Sequence, residues 1–105
     1  MSDAGDKTAA LLTKLWVKIQ PIVEERLTTL DKAAAAASAG KLGEELRAEA
    51  AGNAHKLAGS LGMYGCDEGT RVARELEMLL GGAAPDAARL AALVTELRKA
   101  VRSKG

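Results

Sequence analysis

The chain has no phenylalanine and only one tryptophan, one tyrosine, one cysteine, one histidine and two prolines among its 105 residues. Each shortage removes a class of protein. Strands favour β-branched and aromatic side chains, yet five Val and two Ile stand here against 22 Ala and 15 Leu, both strong helix formers. That balance excludes a sheet-built fold. A single Cys makes no internal disulfide, which excludes a disulfide-built secreted scaffold. One Cys and one His fall short of the four ligands a structural zinc site takes. Two isolated aromatics make no stacking surface for bases. Charge of one sign is missing too: Lys plus Arg number 15 and Asp plus Glu 14, for a net charge of +1. The basic excess that neutralises phosphates is therefore absent, and no nucleic-acid partner is expected. No apolar run approaches the roughly 18 residues of a membrane span, so no membrane association is expected. The start, Met1 to Lys7, is polar and acidic, unlike a signal peptide. These absences make a cytoplasmic protein the default. The length suits one domain, 1–105, with an ordered core over about 6–103.

What is present reads as helices divided by breakers. A first segment starts near Asp6, a good N-cap, and carries Leu11, Leu12, Leu15, Ile19, Ile22 and Val23 on one side. Pro21 interrupts it, but the apolar phase continues through Leu27 and Leu30, which predicts a kink or short break. The run Ala33 to Ala37 ends at Ser38-Ala39-Gly40, a helix stop. A second segment runs from near Leu42 to Met63 or Tyr64 and is closed by Gly65. The third, opening at Asp67 and Glu68, presents Val72, Ala73, Leu76, Leu79 and Leu80 before Gly81-Gly82. Pro85 suits a first helical position, and the last segment presents Leu90, Leu93, Val94, Leu97 and Val101. Short connections favour antiparallel neighbours. The expected fold is an all-α, antiparallel up-down four-helix bundle with a kinked or broken N-terminal helix extension.

The most informative stretch surrounds the only histidine, His55. At about 100° per residue, Leu42, Leu46, Leu57 and Tyr64 share one side of their helix, and His55 points roughly 160° away from Leu57. The imidazole is thus expected to face solvent. Around it stand Ala48, Ala51, Gly52, Ala58, Gly59 and Gly62, where a solvated face would carry long polar side chains. Glycine in a helix costs about 1 kcal/mol relative to alanine, so three of them need a reason. One reason is close packing between helices. The other, preferred here because these glycines lie opposite the leucine stripe, is access for another protein.

An exposed imidazole is a competent nucleophile when neutral. General-base chemistry would need a substrate pocket and oxyanion donors, and no Gly-rich phosphate loop or nucleophile elbow is present. A lone imidazole on a bare face suits attack on a phosphoryl group brought by a partner. Lys56 could place positive charge beside that group, or be an ordinary solvated lysine. Arg71 or Arg74 could supply charge instead, but the preferred reading is of surface residues pairing with Glu75 or Glu77. Asn53 falls on the leucine side, Cys66 reads as a small packing residue, and Trp16 and Tyr64 as core or edge packing.

These residues carry a resemblance. His55, followed by Leu57, Gly59, Ser60 and Gly65 and then by Leu76-Glu77, resembles the histidine-containing phosphotransfer (HPt) domain of two-component phosphorelays. The resemblance implies that His55 is the phosphoacceptor and that Gly59 leaves room for an incoming receiver domain. It makes Lys56 and Ser60 candidates to support the phosphoryl group, and Ala48, Ala51, Gly52, Ala58, Gly59 and Gly62 the docking face. It also implies response-regulator receiver domains and a hybrid sensor histidine kinase as partners, a monomer, and no cofactor on this chain, with Mg²⁺ held by the receiver. Neither ATP binding nor autokinase activity is implied. One departure stands out: many members carry Lys three residues after the histidine, where this chain has Ala58. Two other readings are a non-catalytic docking module and the phosphoacceptor domain of a larger histidine kinase.

Overall fold

The computed structural model describes residues 3–82 and 84–104; Met1 and Ser2, at the head of the polar start, lie outside them. Four helices follow in order, α1 (Asp3–Ser38), α2 (Glu44–Met63), α3 (Asp67–Leu80) and α4 (Ala87–Lys104), and no strand occurs among the described residues. Each helix packs on its neighbours in the chain, and α1 also packs on α4, closing the ring of an all-α four-helix bundle. The connections are too short to do anything but reverse direction. Of the leucines chosen by periodicity, Leu27, Leu30, Leu57, Leu76, Leu80, Leu90, Leu93 and Leu97 fill the centre and are fully buried, and Leu61 joins them. Among the described residues no polar or charged residue is buried with them.

The helix ends follow local chemistry. Gly40, with φ of +69°, ends α1 in the left-handed conformation, and the Lys41 amide donates back to the Ala36 carbonyl at 2.8 Å. Gly65 repeats the device after α2, with φ of +75° and the Cys66 amide on the Leu61 carbonyl at 2.9 Å. Only glycine adopts such angles without a steric penalty. Two boundaries after α1 differ from the sequence-based expectation. Pro85 is not a first helical residue: Asp86 caps α4, its carboxylate accepting from the Arg89 amide at 3.1 Å, and that bond outweighs the preference of proline for the first turn. Leu42 precedes α2, which starts after Gly43 with Glu44 and Glu45 in its first turn.

Of the kink or short break expected at Pro21, the break does not occur. Helix α1 runs through it for 36 residues, about 54 Å at 1.5 Å per residue, and Asp6 lies inside the helix and does not cap it. Pro21 is on the exposed side, as is Val17, whose carbonyl loses its helical donor. At that place water can replace the missing bond. The longest dimension of the molecule is also 54 Å, against 20 and 18 Å for the others, so the N-terminal part of α1 projects beyond the bundle. Trp16, buried and packed against Tyr64 with ring centroids 5.5 Å apart and planes tilted by 58°, marks where α1 meets the end of α2. Before it, Leu11, Leu12 and Leu15 are exposed.

Candidate functional site around His55

Helix α2 has two unlike sides. Ala50, Ala54, Leu57, Ala58 and Leu61 are buried against the bundle. His55 stands off that side with its side chain 73% exposed, as the helical arithmetic requires. The histidine is therefore outside the core. Its Nδ1 lies 2.9 Å from Oε2 of Glu77 on α3. A carboxylate oxygen only accepts hydrogen bonds, so the proton of a neutral imidazole sits on Nδ1 and the lone pair remains on Nε2. Among the described residues nothing bonds to Nε2.

A shallow cleft of about 610 Å³ runs between α2 and α3, lined by His55, Ala58, Gly59, Arg74, Glu77 and Met78. Only part of the expected docking face behaves as an open surface. Ala48, Gly52 and Gly59 are exposed, and a Cβ built on Gly52 or Gly59 would meet nothing within 4 Å. Ala51 is half-buried. Ala58 is only 6% exposed and belongs to the core, contributing to the cleft floor instead of a free face. At Gly62 an added Cβ would stand 3.3 Å from the Thr70 hydroxyl, whose hydrogen goes to the Ala58 carbonyl at 3.2 Å. The premise that no internal helix approaches these small residues thus fails at Ala58 and Gly62. The reason is that α3 packs beside α2 on the flank between the leucine stripe and His55.

The supporting residues divide in the same way. Lys56 is exposed and does not line the cleft, and Ser60 is half-buried and is not brought to His55. Arg71 pairs with Glu68 and Glu75. Its hydrogen bond holds the Glu68 carboxyl below the usual range and raises the Arg71 guanidinium above its own. Arg74 lines the cleft and has no ion pair among the described residues, contrary to the expected pairing with Glu75 or Glu77. Asn53 donates to the Glu49 carbonyl of its own helix at 2.9 Å, and Cys66 is a buried packing residue.

Sequence reasoning missed two residues here: Met78, 79% exposed in the cleft, and Glu77 as the partner of His55. Glu77 had a signal. His55 stands eleven residues before Cys66 and Glu77 eleven after it, so a hairpin turning near Cys66 sets them side by side.

The family model for the Hpt domain matches residues 20–104. Protein RcaC of Microchaete diplosiphon is 31% identical over 81 residues, covering 77% of this chain and 12% of that protein. The chain thus spans about an eighth of that relative's length. No solved structure matches. The match over most of the length settles the family: this chain belongs to the Hpt domains of two-component phosphorelays. Its role is phosphotransfer-related, the family works with receiver domains, and its members carry phosphoryl groups without kinase activity of their own. No helix among the described residues is long and apolar enough to cross a membrane.

Proposed function

We propose that His55 accepts a phosphoryl group from the phospho-aspartate of a receiver domain and passes it to the aspartate of a second receiver. The observation that carries this reading is the exposed imidazole with Glu77 behind it. Glu77 holds the proton on Nδ1, and Nε2 attacks phosphorus with its lone pair. The Nε2–P bond forms as the P–O bond to aspartate breaks, and the electron pair of that bond leaves on the carboxylate. The Nδ1 proton stays in place, so the ring becomes an imidazolium that the Glu77 carboxylate stabilises. The reverse sequence discharges the group onto the next receiver. In this reading Mg²⁺ and the acidic residues that hold it belong to the receiver, and a hybrid sensor kinase stands upstream.

Docking follows from the same geometry. Gly52 and Gly59 leave the approach to His55 clear, and Met78 offers a flexible apolar contact at the rim. The test is transfer from a phosphorylated receiver to the wild-type chain and to His55→Gln. The wild type should gain acid-labile, alkali-stable phosphate and the variant none. Because the side chain is exposed, the variant should keep its stability within about 0.5 kcal/mol. Full phosphate transfer to His55→Gln, or none to the wild type, would refute the assignment.

A further inference from the structure

The cleft beside His55 contains a positive charge that the fold leaves uncommitted. On α3, Arg71 is engaged by Glu68 and Glu75, and Arg89 of α4 reaches the same Glu75 at 3.4 Å. Glu77, one turn beyond Arg74, is taken by His55. The nearby carboxylates on the helix are thus occupied. Arg74 lines the cleft with His55 and has no ion pair among the described residues. From α2 the cleft receives only His55, Ala58 and Gly59, so no cation comes from that side. Lys56 is exposed and outside the lining.

We propose that Arg74 is the phosphoryl-binding cation of this site. The inference rests on the reading of His55 as phosphoacceptor and adds the residue that meets the transferred group. A guanidinium presents a planar fork of donors matched to phosphate oxygens. In the transfer step, charge accumulates on the three equatorial oxygens while the P–O bond to aspartate breaks and the Nε2–P bond forms. Arg74 donates to those oxygens on the open side, and Glu77 stabilises the imidazolium from the other. With Ala58 contributing only a methyl group to the floor, the cation comes from α3 and not from the histidine's own helix.

The experiment compares the wild type with Arg74→Gln, Arg74→Lys and the control Arg71→Gln, using a phosphorylated receiver domain and, separately, the small donor phosphoramidate. Removing one charge-stabilising donor from an enclosed site slows a reaction by about 10²–10³-fold; at this open one the expected loss in Arg74→Gln is about tenfold. It should appear with both donors, shrink as ionic strength rises, and be mostly restored by Arg74→Lys. Arg71→Gln should transfer at the wild-type rate. Affinity for the unphosphorylated receiver should change less than twofold in Arg74→Gln, because the contact is with the phosphoryl group. Wild-type rates in Arg74→Gln, or a loss that only follows weaker receiver binding and is absent with phosphoramidate, would overturn the proposal. A wild-type chain that takes no phosphate on His55 from either donor would overturn the parent reading as well.

Discussion

The two ends of the α2–α3 hairpin use the same residue type for opposite purposes. At the loop end, glycine is a packing residue. A Cβ on Gly69 would fall 2.8 Å from Sγ of Cys66 and 2.9 Å from Cδ1 of Leu61, and one on Gly62 would press on Thr70. At the His55 end, Gly59 and Gly52 face open space. Close packing near the turn brings α3 alongside α2, and this approach delivers Glu77 and Arg74 to the cleft. Bare helix surface farther up leaves the imidazole reachable from outside. Rigid support on one side and free access on the other are what a group that repeatedly receives and gives up a phosphoryl needs.

Substitutions can break this comparison at chosen points. The largest stability effect is expected at Gly69→Val, which forces a branched side chain against buried Cys66 and Leu61. Overpacking should lower stability by about 2–3 kcal/mol, read as a melting temperature lower by 10 °C or more. An unchanged melt would show that the loop end has room to spare. Gly59→Gln is next and opposite in sign. Its side chain meets nothing in the fold, so helix propensity should make the variant neutral or more stable by up to about 1 kcal/mol. Transfer from a receiver should slow, because the new side chain stands one turn from His55. A clear loss of stability would mean that this end too is packed. The smallest effect should be Gly62→Ala, where helix propensity gains about as much as the displaced Thr70 hydroxyl loses. Chemical denaturation should place it within about 1 kcal/mol of the wild type.

Much of this could be read from the sequence, and the exceptions have physical causes. Periodicity located the buried leucines of α1, α3 and α4 and Leu57 of α2, and the positive-φ glycines at 40 and 65 stood where breakers were expected. His55 was expected on the exposed side and is there. Helical-wheel angles, however, describe one helix at a time. They show that Ala58 and Gly62 lie off the leucine stripe, but not that α3 approaches along that flank. Pro21 was read from its lost hydrogen bond, although an exposed helix carries one missing bond without breaking. Arg74 stood beside Arg71 as a source of charge, and only the competition among carboxylates separates the two. Glu77 becomes the partner of His55 once the pairing register of α2 and α3 is known.

The measurement that bears most directly on the central claim is the position of phosphate on the imidazole. The chain, labelled with ¹⁵N in its one histidine, is phosphorylated by a receiver domain, and nitrogen–proton correlations of the ring are recorded. With Glu77 holding the proton on Nδ1, the phosphorus should be bonded to Nε2 of His55, and Nδ1 should remain protonated. Phosphate on Nδ1, or on any residue other than His55, would contradict the account.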